Sequence, residues 1–376
     1  MHIEIAERLK PFFHAPGIFF ILPGTSYRFQ IFPTCIKVED LSDVSPTLIF
    51  QLNMDVQGPL DQFTVEQDLE KGVIRVWEML PTGLFRFHLK TLTEKPGVGM
   101  TIEKAPKEGI PFQCTGIWSS KNSQPLQAGQ HRLFSPCVDD DKNDLEYKIP
   151  LIDRLSLGNH KSQDWELMRR RRNFAEIFPI WHRLGQLVPN QAGNSQAGTL
   201  SLFENCQAAI TANSPEHILA QFEKIFLAGF DLGLSPRLID TDFQGILPNV
   251  DIAAIEKVSP LQLLTQGAEL IRSLFIQCHK DSIVLLPTCP PSFHCGRLIN
   301  VDCSGLGILS MEWTKKAMRC MSFMAASSQT IAISARDGQI RCRIRQSSKD
   351  PGSPYELGSA INVIAGQHYW FDNFVS

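Results

Sequence analysis

The hydrophobic period of this chain changes twice along its length, and neither an all-helical nor an all-strand architecture accommodates both changes. Between Phe19 and Lys90 the period is two, most clearly where Leu48, Phe50, Leu52, Met54 and Val56 alternate with Ile49, Gln51, Asn53 and Asp55. Such alternation turns one face of a strand toward a core. Turn signals at Pro23-Gly24, Gly58-Pro59, Lys71-Gly72 and Pro81-Thr82-Gly83 follow at short intervals, as antiparallel strands joined by hairpins or meanders require. The expectation is an N-terminal antiparallel β-sandwich over residues 1–142. Its end, Ser119 to Lys142, is polar and turn-rich, carries Asp139-Asp140-Asp141, and reads as an exposed loop.

From about Asp153 to His279 the period becomes helical. At Ser214-Pro215-Glu216 an N-cap residue, a first-turn Pro and an early acid precede Ile218, Leu219, Phe222, Ile225 and Phe226, the stripe of an amphipathic helix. Further helices are expected over Gln163–Arg172, Phe174–Leu187 with a break at Pro179, Leu200–Ala212 and Pro260–Gln277, with Pro189 to Gly198 as a linker. This gives an α-helical segment over residues 143–280. Residues 281–376 return to strands and should form a C-terminal antiparallel β-sandwich, so the whole is a mixed α and β, multi-domain chain. Asp337-Gly338 predicts a hairpin between Thr330–Ser334 and Gln339–Gln346, with Ile340, Cys342 and Ile344 inward and Arg341, Arg343 and Arg345 in water. Ala360–Ile364 and His368–Phe371 would close the sandwich.

Composition limits the partners. At 376 residues and 43% apolar types, the chain can bury two or three cores. A net charge of −3 offers no general attraction to phosphate backbones or anionic lipids, so neither nucleic acid nor membrane is an expected partner. Met1 to Lys10 lacks the apolar centre of a signal peptide, and Ile18 to Leu22 is too short to span a bilayer, so a cytoplasmic chain is the expectation. The ten cysteines sit mostly among apolar neighbours, as at Cys206, Cys278 and Cys320, and read as reduced, buried thiols. Cys289, His294, Cys295 and Cys303 have ligand chemistry suited to zinc but lack paired C-x-x-C spacing, and no metal is assigned. With no G-x-S-x-G elbow, phosphate loop or G-x-G-x-x-G, neither a nucleophilic triad nor a cofactor is expected.

One tract has a recognisable order. Gly267-Ala268-Glu269-Leu270, on the last helix, leads into Leu285-Leu286-Pro287-Thr288-Cys289-Pro290-Pro291, after which Gly296 and Gly305 precede Met311-Glu312-Trp313. Over residues 267–313 this order resembles glycoside hydrolase family 95, the bacterial α-fucosidase and α-galactosidase group. The resemblance implies an (α/α)₆ barrel between an N-terminal super-sandwich and a C-terminal sandwich. Twelve helices of about 11 residues with connections of about 4 to 6 need roughly 180 residues, whereas Pro150 to Lys280 supplies about 130. A reduced, barrel-like remnant is therefore expected.

In that family an Ile-Asp-Gly-Asn-Phe-Gly-Gly loop supplies an Asp for acid/base work. Ile239-Asp240-Thr241-Asp242-Phe243-Gln244-Gly245 is similar to it, with Thr241 and Asp242 in place of the first Gly and the Asn. The resemblance nominates Asp240, with Asp242 beside it, as catalytic. Glycoside hydrolysis generally needs two carboxyl groups, one protonated and one ionised, and Asp164 is the further candidate. Asp164 lies in Leu157 to Glu166, a segment dense in polar groups around an aromatic, where His160, Trp165 and Glu166 are candidates for binding a carbohydrate ligand. The alternative is that Ser162 or Asp164 caps a helix whose Trp165 and Met168 pack inward. Arg169 to Arg172, spread around that helix, read as a solvated end paired with Glu166 or Glu176. Three functional readings follow: a carbohydrate-contacting protein with reduced or lost catalysis, an active glycosidase with an abbreviated barrel, or a module that docks a protein partner.

Overall fold

The computed structural model describes residues 2–92, 96–120, 123–136, 148–191, 197–240, 258–335, 338–347 and 349–376. The first strands are β1 (Phe12–Phe13), β2 (Ile18–Ile21), β3 (Tyr27–Phe32), β4 (Cys35–Asp40), β5 (Thr47–Met54), β6 (Asp61–Asp68), β7 (Val73–Leu80), β8 (Gly83–Thr91), β9 (Val98–Lys104), β10 (Phe112–Gly116) and β11 (His131–Phe134). They build two antiparallel sheets, ordered β1-β6-β7-β8-β9-β11 and β10-β5-β4-β3-β2. Lys71-Gly72 and Pro81-Thr82-Gly83 make the hairpins on either side of β7, where Asp68 faces Val73 and Leu80 faces Gly83. Phe50 of β5 stacks on Phe134 of β11 at 5.1 Å, which joins the two sheets through aromatic faces. The alternation in β5 is interrupted near its start: a bulge opposite Val38 and Glu39 inserts Ile49, which is buried, and turns Leu48 outward to 48% exposure.

The chain continues through β12 (Arg154–Ser156), α1 (Trp165–Arg171), α2 (Phe174–Leu187), α3 (Leu202–Thr211), α4 (Pro215–Gly229) and α5 (Gln262–Phe275). Four of these helices pack as two pairs, α2 with α5 and α3 with α4. The break expected at Pro179 is absent, and α2 runs through it as one helix buried on nearly every side. Tertiary packing here outweighs the backbone bond that proline removes. Two of the glycines that carry the sequence resemblance, Gly267 and Gly296, are packing residues. A Cβ at Gly267 would stand 2.4 Å from the Trp181 indole, whose N–H donates to the Leu263 carbonyl at 3.2 Å, so α5 meets α2 only because the side chain is missing.

The last strands are β13 (Ile276–Cys278), β14 (Ser282–Leu285), β15 (Gly296–Asp302), β16 (Gly307–Thr314), β17 (Ala317–Ala325), β18 (Gln329–Ala335), β19 (Arg341–Arg345), β20 (Ser353–Glu356), β21 (Ala360–Val363) and β22 (His368–Val375). They form a sheet ordered β12-β15-β16-β17-β22-β19-β20 and a second ordered β13-β14-β18-β21. All pairs are antiparallel except β14 with β18, which is parallel. Trp313 of β16 stacks on Phe275 at 5.1 Å, and a Cβ at Gly296 would stand 2.2 Å from its ring. β12 precedes the helices in the chain yet pairs with β15, so the stretch between the two sets of strands is not purely helical.

The hairpin expected around Asp337-Gly338 does not form. β18 and β19 belong to different sheets, so the chain crosses between sheets there, and it crosses again between β20 and β21 and between β21 and β22. Asp337 itself lies outside the described residues. The crossing leaves Ile340 60% exposed, whereas Cys342 and Ile344 are buried as their alternation suggests. A turn-forming dipeptide specifies a reversal of the chain, but which sheet the next strand joins depends on packing far away in sequence. One apolar cluster runs from Leu9 to Phe371 through all four sheets and the helices. Among the described residues no helix is long and apolar enough to cross a membrane.

Candidate functional site

The polar segment before α1 lines a small cleft of about 130 Å³, bounded by the N-terminal arm from Ile5 to Leu9, by Leu155 to Gln163, by the first turns of α2 and by Arg297 of β15. Each wall is held by polar contacts. Arg154 donates to the carbonyls of Ile5 and Ala6, both at 3.2 Å, and pairs with Glu70 at 2.6 Å. Arg297 donates to the Glu4 carbonyl at 3.2 Å, and Gln163 accepts from the Lys10 N–H at 2.7 Å. The Asn159 side chain accepts from the Lys161 N–H at 2.9 Å and turns the segment so that His160 and Lys161 meet the cleft.

At the rim, Arg8 approaches His160 Nδ1 at 3.4 Å; a guanidinium only donates, so this contact places the imidazole proton on Nε2. The carboxylate lining the cleft is Glu176, with a side chain only 2% exposed. Arg171 donates to both its oxygens through Nε, at 3.1 and 3.0 Å, and Lys161 stands 3.6 Å away. Glu176 is thus neutralised in place, and Arg8, His160, Lys161 and Arg297 provide donors around a carboxylate that is already engaged. This arrangement can orient and hold a polar ligand. Among the described residues it does not offer the pair of carboxyl groups that would protonate a leaving group and activate water.

Other residues nominated from sequence fall elsewhere. Asp164 is the N-cap of α1, and its carboxylate accepts from the N–H groups of Glu166 at 2.9 Å and Leu167 at 3.4 Å. Trp165 is 1% exposed, so its ring packs in the core and has no face for a ligand. Glu166 is exposed in the first turn of α1. Asp240, whose side chain is 1% exposed, stands 3.5 Å from Arg237. Arg237 also pairs with Asp231 at 2.9 Å and donates to the carbonyls of Ala228 and Leu227 at 2.9 and 3.0 Å, closing the C-terminal end of α4. The contact between Asp240 and Arg237 thus belongs to the group of contacts that closes α4. Asp242 lies outside the described residues. The arginine run divides its work: Arg169 donates to the carbonyls of Phe230 and Asp231, Arg171 holds Glu176, and Arg172 pairs with Glu223 at 3.0 Å.

A second ionic centre sits inside the molecule. Asp153 lies 3.5 Å from His182 and 3.4 Å from Arg272, and it accepts from Gln186. Burial works to raise the Asp153 carboxyl, but the His182 imidazole and the Arg272 guanidinium outweigh it and hold the group below the usual carboxylate range. His182 is 1% exposed and its Nδ1 meets the Ala268 carbonyl at 3.2 Å, so both ring nitrogens are engaged and the pair ties α2 to α5. Among the described residues no group of three or more His, Cys, Asp or Glu is placed to hold a metal ion.

Sequence reasoning reached His160 through the density of polar groups around it. It missed Arg8, which is 152 positions away from its contact, and Arg297, which arrives with β15; neither has a local signal. Compared with known proteins, the chain matches no family model and no curated protein.

Proposed function

We propose that this chain is a carbohydrate-contacting protein of glycoside-hydrolase-like descent that binds a sugar group in the cleft beside His160 without hydrolysing it. One observation carries the reading: polar side chains from four separate stretches converge on a cleft whose lining carboxylate, Glu176, is already bound by Arg171 and Lys161. Sugar hydroxyls are well served by such fixed donors, and the small volume suits one ring or the end of a chain. The helix pairs α2 with α5 and α3 with α4 are read as the remnant of a helical barrel, joined to a C-terminal sandwich through the tract that resembles family 95. An active glycosidase would need Asp240 in reach of substrate, and its ion pair with Arg237 argues against that role.

The test is a thermal-shift screen against fucose, galactose and their short α-linked oligosaccharides at millimolar concentration, beside turnover assays with aryl α-fucosides and α-galactosides. A ligand that binds the native state raises the melting temperature by mass action. The expected result is a sugar-specific rise that is lost in Lys161→Ala and His160→Ala, with no turnover. No rise with any sugar, or a rise indifferent to both substitutions, overturns the reading.

A further inference from the structure

The outward face of the N-terminal six-stranded sheet carries a feature that its fold does not require. Along β7, Val76 and Glu78 turn inward while Arg75, Trp77 and Met79 turn outward. Of the chain's tryptophans, Trp118, Trp165, Trp181 and Trp313 are buried, whereas Trp77 is only half-buried on a solvent-facing sheet surface. Its ring takes part in no aromatic stacking and in neither of the cation–ring contacts found among the described residues, which are Arg28 on Phe19 and Arg169 on Phe226. Neither guanidinium beside it stacks on the indole. Arg86 is directly across the ladder from Trp77, and Met79, 38% exposed, faces Leu84. Arg75, Trp77, Leu84, Arg86 and Glu103 line an open groove of about 370 Å³, within the roughly 300–1,000 Å³ usual for small-molecule sites.

The charged groups around the ring are fixed. Arg75 pairs with Glu66 at 3.0 Å and with the fully buried Asp68 at 2.8 Å, and Lys10 stands 3.4 Å from Asp68. Arg86 pairs with Glu103 at 2.6 Å, and His88 meets the same carboxylate at 3.1 Å. Burial pushes the Glu103 carboxyl up, but the His88 hydrogen bond and the Arg86 charge prevail and hold it below its ordinary range, so it is an ionised acceptor at neutral pH. Lys10, Arg75 and Arg86 are paired with Glu66, Asp68 and Glu103 on this face, and Lys90, opposite Val73 on the same ladder, lies on it as well. The surface thus offers preorganised donors and acceptors around an aromatic plane with an apolar flank. A charged ligand would have to break one of these pairs. A neutral polyhydroxylated ring meets all of it, with its C–H face on the indole and its hydroxyls on the arginines and Glu103.

We infer that the outward face of β6 to β9, centred on Trp77, is a binding site for a sugar ring of a neutral oligosaccharide. It is distinct from the cleft beside His160 and does not depend on it. Isothermal titration and tryptophan fluorescence with cellohexaose, xylohexaose and maltohexaose, at millimolar concentration, test it directly. At least one hexasaccharide is expected to bind and to perturb the fluorescence. Trp77→Ala should weaken that binding by about tenfold or more, and Trp77→Phe, which keeps an apolar ring on the strand, by about three- to tenfold. Trp370→Phe should leave it unchanged, which separates this site from the other partly exposed tryptophan. Absence of binding by all three hexasaccharides overturns the proposal. So does unchanged affinity in either Trp77 variant, or stronger binding of an oligogalacturonate than of the neutral probes.

Discussion

Two carboxyl groups show how the same side-chain type is pushed in opposite directions by what surrounds it. Glu78, 1% exposed on the inner face of β7, has no cation beside it, and burial raises its pKa to about 7. Because the folded value lies above the unfolded one, the folded state holds the proton more tightly. Stability contributed by protonated Glu78 is present below about 4.5 and is lost as pH rises toward about 7. Glu78→Gln is therefore expected to raise the melting temperature at pH 8 and to change it little at pH 4; equal shifts at both values would contradict the assignment. Asp153 has the reverse sign. Its folded pKa is depressed, so its stabilisation is present above the ordinary aspartate value of 3.8 and is lost as pH falls from there through the folded value. Asp153→Asn leaves His182 and Arg272 without their anion and should cost about 3 kcal/mol at pH 7, with a smaller effect in acid. Denaturant unfolding of the variant at pH 7 and pH 3.5 measures both.

At the scale of elements, legibility followed the distance over which each signal acts. The hairpins at Lys71-Gly72 and Pro81-Thr82-Gly83 were readable because the turn and both strands are contiguous. The same logic failed at Asp337-Gly338, where β18 and β19 part into different sheets, and at Ile49, where a bulge shifts the alternation. The candidate cleft was legible only in its local half. His160 and Lys161 lie in one polar segment, but Arg8 and Arg297 join it through β12 pairing with β15 and the arm lying across them. Trp165 was misread as a ligand platform because its sequence neighbours are polar, whereas the helix turns its ring inward behind the Asp164 cap. The glycine of α5 offers a direct test of element packing. Gly267→Ala forces a methyl into the Trp181 indole and should cost about 1–3 kcal/mol, with a shift in tryptophan emission; a variant as stable as the parent would show that α2 and α5 can separate without loss.

For the whole molecule, the apolar cluster that runs through all four sheets matters more than the three-part reading of the sequence. The helices are bonded to the first pair of sheets, through the Gly24 N–H on the Leu187 carbonyl at 2.6 Å and the Ser259 hydroxyl on the Leu41 carbonyl at 2.6 Å. They join the second through Phe275 on Trp313 and Phe178 near Phe293. Units fused by a continuous core should unfold together. Calorimetry is expected to give one transition whose van't Hoff and calorimetric enthalpies agree, and two resolved transitions would show that the seams are weaker than the cores.

The placement of β12 carries a consequence for synthesis. Its three residues leave the ribosome about 140 residues before the strand they pair with, a closure that the chain must postpone while α1 to α5 are made. A nascent chain halted after α5 thus holds a strand whose partner has not yet been translated, and the arm over the cleft still lacks its tie to Arg297. The cleft beside His160 is completed only after β15 emerges, so its assembly follows the order of translation rather than the order of the walls.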